Sequence, residues 1–362
     1  MLILLKIFHR LQTLALSVLG PKLFVKLAAS LRSPALKKFS EQHICAQTAL
    51  RPTQLKNGLT FRNDLGVAAG FDKDGKLLPF LHSLGAGFVV VGTVLPRTHT
   101  GNLPIELGGK LNPWTPLPHS HSALNSLGLP QSGVDTTLQN IQDFRDSVHD
   151  ENFRIGASVM AHPLDKGEAA LEGILQTVRK LASVVDFFEL NESCPNVGHH
   201  SSLEEQQKRV AAVQELCAEF SRPLFVKLAS FGDVRATLRF FAELKVAGIV
   251  GVNTQTNYDL LRSKLACQDE KLFDYYTKTF RGGVSGKVIH AIAHEQIVQA
   301  SLILLQEKLP LELIHVGGIA SHADVVESRK YTVLREWYTG LLEALGKKDA
   351  KTLYAEMLGS AK

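Results

Sequence analysis

The chain has 362 residues, of which 45% are hydrophobic and 21% are charged, a composition typical of a folded globular protein and not of a disordered or fibrous one. Its net charge of +5 is uneven, because residues 1–40 contain seven Lys or Arg residues and no acidic residue. The rest of the chain is therefore slightly acidic, which argues against a nucleic-acid-binding surface on its main body. None of the four cysteines forms a C-x-x-C pair, so neither a zinc site nor a redox dithiol is indicated, and we predict no metal site.

The first forty residues predict two short helices separated by Gly20-Pro21. Polar residues from Lys6 to Ser17 recur every three or four positions and apolar residues fill the rest, which indicates one apolar and one basic face. Because charged residues interrupt the apolar stretches, a membrane-spanning helix and a signal peptide are both disfavoured. We expect residues 1–50 to form a helical extension that lies on an anionic membrane surface. A transit peptide, or helices that only cap the main domain, remain alternatives.

Beyond residue 50, short apolar runs alternate with longer amphipathic segments. Continuous apolar runs spaced far enough apart for a crossover helix are typical of parallel strands buried on both faces. The eight predicted strands are Leu65–Ala69, Phe88–Gly92, Ile155–Met160, Phe187–Leu190, Leu224–Leu228, Ile249–Val252, Leu313–Val316 and Val333–Tyr338. They predict an α/β protein in which residues 51–362 form a (β/α)₈ TIM barrel behind the N-terminal helical extension.

A doubly wound open sheet is the structural alternative to the barrel. It is weakened because no G-x-G-x-x-G motif follows the first predicted strand. The segment 101–130, where Gly, Pro, His and Asn recur, is too long for a simple connection. We therefore expect this segment to carry function.

The hexapeptide N-E-S-C-P-N at residues 191–196 directly follows the fourth predicted strand. It places the thiol of Cys194 between the side-chain amides of Asn191 and Asn196, which can both donate and accept hydrogen bonds. Such a group suits a flat, carbonyl-rich ring held beside an acid or base. The alternative is that Cys194 is a small buried hydrophobic residue.

At this hexapeptide, and at strand-end motifs over residues 58–341, the chain resembles the dihydroorotate dehydrogenases, FMN enzymes of pyrimidine biosynthesis. The blocks G-L-T-F-R-N (58–63) and L-G-V-A-A-G-F-D-K-D-G (65–75) resemble the membrane-associated branch that uses quinones. The blocks L-N-S-L-G-L-P (124–130) and S-C-P-N (193–196) are similar instead to the soluble branch that uses a catalytic cysteine. The resemblance implies a barrel that binds FMN and dihydroorotate, and a membrane quinone as electron acceptor. It also implies a peripheral location, at the cytoplasmic face of a bacterial inner membrane or at a mitochondrial inner membrane.

The resemblance further implies roles for individual side chains. Cys194 is expected to remove the C5 proton of dihydroorotate while hydride leaves C6 for flavin N5. The expected substrate-binding residues are Lys73, Asn125, Asn191, Asn196, Asn253 and Thr254. The expected cofactor-binding residues are Ala69, Gly70, Lys73, Thr93, Lys227, Ser285, Gly286, Gly317, Gly318, Tyr338 and Thr339. In this second set, Lys227 is expected beside the N1–C2 edge of the flavin. The two glycine turns, residues 282–286 and 316–319, are expected to cradle its phosphate. Taken singly, a strand-end lysine is more often a solvated charge, and an asparagine more often a turn residue.

Some positions depart from the family pattern. Glu192 would place a carboxylate beside an anionic substrate unless its side chain points away, and the third strand end (159–163) lacks the expected Asn and Lys. The run 330–332 replaces a small Gly-Ala pair and either crowds the phosphate site or repacks it. Arg335 and Glu336 are unexpected inside a barrel strand unless they face each other or the solvent. Two alternative functions therefore stay open: an FMN oxidoreductase for another dihydropyrimidine, and a non-catalytic barrel scaffold at a membrane.

Overall fold

The structure is a computed structural model that describes residues 2–44, 46, 50–192 and 202–360. Its strands are β1 (Thr53–Gln54), β2 (Thr60–Phe61), β3 (Leu65–Val67), β4 (Phe88–Val94), β5 (Trp114–Leu117), β6 (Ser122–Asn125), β7 (Arg154–Val159), β8 (Phe187–Asn191), β9 (Leu224–Leu228), β10 (Gly248–Gly251), β11 (Gly283–Gly286), β12 (Glu312–Val316) and β13 (Leu334–Trp337). Its α-helices are α1 (Leu2–Phe39), α2 (Leu78–Leu84), α3 (Val134–Ser147), α4 (Gly167–Leu181), α5 (Leu203–Glu219), α6 (Val234–Glu243), α7 (Tyr258–Arg262), α8 (Glu270–Phe280), α9 (His290–Glu307), α10 (His322–Ser328), α11 (Thr339–Lys347) and α12 (Leu353–Leu358).

Eight parallel strands close into a barrel in the order β3-β4-β7-β8-β9-β10-β12-β13. Each of them coincides with one of the eight apolar runs of the sequence, so the predicted (β/α)₈ barrel is confirmed. Helices follow the strands and cover the outside of the barrel, where the outward-facing apolar side chains form the largest hydrophobic cluster.

The side chains that fill the inside of the barrel change from aromatic to polar along its axis. At the N-terminal end of the strands, aromatic rings fill the space. Phe187 packs edge to face against both Phe88 and Phe225. The β1–β2 hairpin closes this end through Phe61, whose ring centroid lies 5.2 Å from that of Phe88. Because side chains alternate along a strand, the next inward positions carry polar groups nearer the C-terminal end of the barrel.

A second, antiparallel sheet formed by β5, β6 and β11 lies at the C-terminal end of the barrel. It contacts the loop after β10, since Gln255 pairs with Val284 of β11. The predicted functional segment 101–130 supplies two of its three strands. A hydrophobic cluster beneath it joins α1 and α8.

Helix α1 is broken at Gly20, whose φ of 67° and ψ of 171° are not helical, so the predicted pair of helices is present. The second half packs against β5, α8 and α11, and Phe24, Val25 and Ala28 are fully buried. On the other side α1 exposes large apolar side chains, namely Ile7, Leu11, Leu14, Val18, Leu19, Leu23 and Leu31. Residues 2–44 therefore cap the barrel and still present an apolar surface outward.

Two helical segments, Leu11–Phe39 and Lys287–Glu307, have the length and mean hydropathy of a membrane span. Length and composition alone do not identify a membrane span, because the core helix of a soluble protein shares them. The first segment contains the break at Gly20, and the second packs against α6 and β12.

Arg335 and Glu336 face neither each other nor the solvent, because their side chains point to opposite sides of β13 and both are buried. Arg335 points to the outside of the barrel and donates to the carboxylate of Asp64 at 2.8 Å, where it is 1% exposed. Arg329 binds the same carboxylate at 2.7 and 3.0 Å, so a buried acceptor compensates the buried guanidinium. Burial nonetheless lowers the pKa of Arg335 to about 10.

The side chains of residues 330–332 pack locally at the N-terminal end of β13. They therefore do not crowd the glycine turns. The hydroxyl of Thr332 bonds to the carbonyl oxygen of Ser328, and the ring of Tyr331 packs edge-on against His294. Both contacts lie at the end of the strand opposite the C-terminal face of the barrel.

Candidate active site

A cleft at the C-terminal end of the barrel encloses about 1110 Å³ of space that is partly open to solvent. Its walls come from the ends of the barrel strands and from the β5-β6-β11 sheet. The predicted site residues that line it are Ala69, Gly70, Lys73, Thr93, Asn125, Asn191, Lys227, Asn253, Thr254, Ser285, Gly286, Gly317, Gly318, Tyr338 and Thr339. These are all of the predicted site residues that belong to the described part of the chain.

The two other predicted residues, Cys194 and Asn196, lie outside the described residues. The described chain stops at Glu192, directly after β8, and resumes at Ser202, the N-cap residue of α5. The roles expected for Cys194 and Asn196 therefore stay predictions.

Three of the predicted amides reach the cleft from different elements. Asn191 ends β8 and donates to the hydroxyl of Thr93 at 3.1 Å, while Asn125 ends β6 and donates to the carbonyl oxygen of Gly283 at 3.4 Å. Asn253 follows β10 and accepts from the backbone N–H of Thr254 at 2.9 Å. The sheet and the barrel thus hold polar side chains on facing walls of the cleft.

Lys73 lies on a turn after β3, and hydrogen bonds made by neighbouring residues hold the backbone of this turn in place. The buried carboxylate of Asp72 accepts the backbone N–H groups of Gly75 at 2.9 Å and Leu77 at 3.0 Å. Gln131 donates to the carbonyl oxygen of Lys73 at 2.7 Å. Burial, with a smaller contribution from Asp74, raises the pKa of Asp72 to about 7.

The glycine turns form a cradle that a side chain would fill. Gly318 has a φ of 84°, and a Cβ atom there would lie 2.5 Å from the Cα atom of His290. Gly317 has a φ of 114°, so both positions require glycine. Beside this turn, the hydroxyl of Thr339 donates to that of Ser285 at 2.9 Å, which adds two hydroxyl groups to the same wall.

The structure places Lys227 inside the barrel between two carboxylates that the sequence reasoning missed as site groups. Its ammonium donates to Glu189 at 3.3 and 3.4 Å and to Glu336 at 3.2 Å. Burial lowers the pKa of Lys227, but the two carboxylates outweigh burial and raise it. Strand alternation offered a signal, because Glu189 lies two residues after Phe187 and Glu336 two residues after Leu334, and both of these apolar residues face inward.

Glu192 points away from the cleft. Its carboxylate accepts two hydrogen bonds from Arg209 of α5, both at 2.6 Å, and one from Gln206 at 3.3 Å. This ion pair raises the pKa of Arg209. The expected repulsion of an anionic substrate is therefore offset by a matched cation.

The third strand end also lies away from the cleft. In the described structure, residues 159–163 are not among those that line it. The preceding residue, Ser158, reaches the cleft wall only through Thr93, whose hydroxyl lies 3.2 Å from its own. His162 is 2% exposed and packs edge-on against His99 instead.

A second, apolar cavity of about 430 Å³ lies between α1 and the barrel. Trp114 and Tyr338 line both this cavity and the cleft, and the guanidinium of Arg32 donates to the hydroxyl of Tyr338 at 2.9 Å. The remaining lining is mostly small or apolar, with Ala28, Leu31, Ala35, Leu36, Phe71 and Leu342. The two cavities are thus neighbours that share an aromatic wall.

Comparisons with known proteins identify the family. A family model described as dihydroorotate dehydrogenase matches residues 53–331. A dihydroorotate dehydrogenase (quinone) of Synechococcus sp. (strain JA-3-3Ab) is 32% identical over 289 residues, which cover 78% of this chain and 72% of the relative. The chain belongs to the dihydroorotate dehydrogenase family.

Further relatives carry the same description. One from Xanthomonas campestris pv. campestris (strain B100), also a dihydroorotate dehydrogenase (quinone), is 28% identical over 349 residues and covers 90% of this chain and 91% of its own. Among solved structures, DHODH from Eimeria tenella in complex with ferulenol aligns with a TM-score of 0.74 and 20% identity, covering 90% of this chain and 89% of that one. This structural likeness supports the barrel fold.

Proposed function

We propose that this chain is an FMN-dependent oxidoreductase that converts (S)-dihydroorotate to orotate in the synthesis of UMP. The observation that carries the proposal is that residues predicted from separate strand ends line one cleft, in a chain of the dihydroorotate dehydrogenase family. In parallel barrels, catalytic groups gather at this end of the strands.

The lining of the cleft fits a flavin mononucleotide. The Gly317-Gly318 turn, with Ser285 and Thr339 beside it, offers backbone N–H and hydroxyl groups of the kind that bind phosphate. The small residues Ala69 and Gly70 leave room for a flat ring. When bound, the flavin supplies an acceptor for hydride.

For the substrate, Lys73 offers a cation for the carboxylate, and Asn125, Asn191 and Asn253 offer amides for the pyrimidine ring. The proposed base is Cys194, three residues after Asn191, the last residue of β8. A free thiol has a pKa of about 8.5, so the active thiolate is a minor form at neutral pH unless a cation, for which Lys73 is the candidate, stabilises it.

We assign the electron acceptor to the quinone class and the N-terminal extension (residues 1–50) to peripheral contact with a membrane. The apolar cavity between α1 and the barrel supports this assignment, because it is next to the cleft and lined by α1. The exposed apolar side chains of α1, with Lys22 and Lys26 beside them, provide a surface suited to anionic lipid.

The first test is an anaerobic absorbance spectrum of detergent-purified protein before and after addition of dihydroorotate. We expect bound flavin that bleaches on mixing. Flavin that stays oxidised with dihydroorotate but bleaches with another dihydropyrimidine would contradict the proposed substrate. Protein that takes up no flavin even when FMN is supplied would contradict the enzymatic function and favour a scaffold.

The proposed base is tested by Cys194→Ser. In the wild type we expect the rate of flavin reduction by dihydroorotate to rise with pH through the pKa of the thiol. In the variant we expect the rate at pH 8 to fall by about 10²- to 10⁴-fold, because a hydroxyl is a much weaker base. Cys267→Ser, which removes an exposed thiol, is the matched control and should leave the rate unchanged. A variant with a wild-type rate and pH profile would exclude Cys194 as the base.

A further inference from the structure

Three charged side chains meet inside the barrel directly beneath the cleft. The ammonium of Lys227 on β9 lies 3.3 Å from the carboxylate of Glu189 on β8 and 3.2 Å from that of Glu336 on β13. Lys227 is 4% exposed, and both glutamates are fully buried. We call this group the barrel triad.

The barrel triad does not balance in charge when all three groups are ionised, because two carboxylates face one ammonium. Among the described residues, Lys227 and Glu189 are the charged groups that face Glu336 from the barrel strands, and Lys73 lines the cleft above them. An uncompensated charge in a water-poor interior is costly, and groups placed in this way bind or release a proton instead.

Glu336 is the member of the barrel triad best placed to carry this proton. One of its oxygens accepts from Lys227, whereas the other, Oε1, is buried and has no hydrogen-bond partner within the described structure. A proton on the carboxyl group allows it to act as a donor. Burial, and to a smaller extent repulsion by Glu189, raises the pKa of Glu336 to about 8 despite the attraction of Lys227.

Glu336 and Lys227 also line the cleft where the flavin is proposed to bind, together with the Gly317-Gly318 turn. Any change in the charge of the barrel triad therefore acts on that ligand across a short distance and with little water between. FMN carries a negatively charged phosphate and electron-rich carbonyl groups, so an additional negative charge beneath it opposes binding.

We propose that Glu189 and Glu336 hold one proton between them when FMN binds, so that the barrel triad is electrically neutral, and that loss of this proton weakens the binding of FMN. This inference rests on the proposed function for the identity of the ligand. It assigns Glu189 and Glu336 as positioning residues that act through Lys227 and through the charge of the site.

The test is the dissociation constant of FMN for the apo-protein between pH 6 and 10, measured by quenching of flavin fluorescence. In the wild type we expect the constant to be level below pH 7 and to rise about tenfold per pH unit above pH 8, as required when one proton must be retained. Either Glu336→Gln or Glu189→Gln leaves one carboxylate opposite one ammonium. Each variant should therefore lack the tenfold rise per pH unit that the wild type shows above pH 8.

Glu312→Gln, at the other end of the barrel on β12, is the matched control and should reproduce the wild-type profile. Titration of Cys194 and of the phosphate is common to all four proteins, so it cancels in the comparison. Parallel profiles for the wild type and Glu336→Gln would overturn the proposal.

An infrared measurement separates this proposal from the proposed function, because it needs no cofactor. At pH 7 the wild-type apo-protein minus Glu336→Gln should show the carbonyl stretch of a protonated carboxyl group. The same band should appear in the difference with Glu189→Gln, whereas Asp72 contributes equally to every spectrum. A difference that contains only carboxylate bands would show that both glutamates are ionised, and would overturn the proposal even if dihydroorotate bleaches the flavin.

Discussion

His315 shows how one buried side chain couples stability to pH. It faces outward from β12, is fully buried, and has its Nδ1 atom 2.9 Å from the hydroxyl of Ser328. The rings of His290 and His294 lie 6.4 and 6.2 Å from its ring, centroid to centroid. Burial, followed by these two histidines and Arg335, lowers the pKa of His315 to about 3.

Because the folded-state pKa of His315 lies below its unfolded value of about 6.5, the unfolded state binds more protons between pH 6.5 and pH 3. We therefore expect this residue to remove about 1.4 kcal/mol of stability for each pH unit below 6.5. His315→Asn should lower stability at pH 7 by loss of packing but flatten the decline between pH 6.5 and pH 4.5. Urea unfolding at several pH values measures both effects. Parallel declines in the two proteins would show that His315 does not titrate in this way.

At the same scale, the sequence predicted which residues line the cleft better than it predicted which charges pair. Strand-end residues such as Asn191 and Asn253 are identified by their position after an apolar run, which a barrel converts into a place at the cleft. The partner of Glu192 is Arg209, 17 residues away on another element, and no local pattern specifies it. The same holds for Arg335 and Asp64, which become neighbours only when the barrel closes.

Helix α10 is an element whose start is fixed by a capping box. The hydroxyl of Ser321 accepts the backbone N–H of Asp324 at 3.2 Å, and the carboxylate of Asp324 accepts the backbone N–H of Ser321 at 2.8 Å. This cap begins three residues after Gly318, so it also sets where the chain leaves the cleft.

We expect Ser321→Ala to lower the free energy of unfolding by about 1 kcal/mol, because one N–H group at the start of α10 loses its acceptor. Ser321→Asp keeps an acceptor of similar reach and should retain most of the stability. Chemical denaturation of the apo-protein at pH 7 compares the two variants. Equal losses in both would show that the hydroxyl acts through something other than the cap.

Elements with long apolar runs were predictable, and those without them were not. The eight barrel strands follow from continuous burial on both faces, as in β4, which is buried throughout. The strands of the β5-β6-β11 sheet have four residues each and contain Pro116, Ser122 and Gly283, so they give no such pattern. The pairing of β11 with β6 also depends on contacts between segments more than 150 residues apart.

For the whole molecule, the central question is what the outer face of α1 contacts. Its inner face is committed to the barrel through Phe24 and Val25, whereas Leu14 is 59% exposed and Val18 73% exposed. Apolar side chains that remain exposed on a packed helix, together with basic ones, indicate a further surface to be buried. The proposed membrane surface accounts for both features.

We expect the paired substitution Leu14→Glu and Val18→Glu to weaken binding to vesicles that contain anionic lipid by at least about a hundredfold. Full burial of each apolar side chain contributes about 1.5–3 kcal/mol, and the new carboxylates are repelled by the lipid headgroups. Cosedimentation of the detergent-free protein with vesicles measures the affinity, and flavin reduction by dihydroorotate should be unchanged because α1 lies outside the cleft lining at these positions. Leu305→Glu, at an equally exposed apolar position on α9, is the matched control. If the control weakened binding as much as the α1 variant, the membrane would contact the molecule through a different face, and α1 would serve only to cap the barrel.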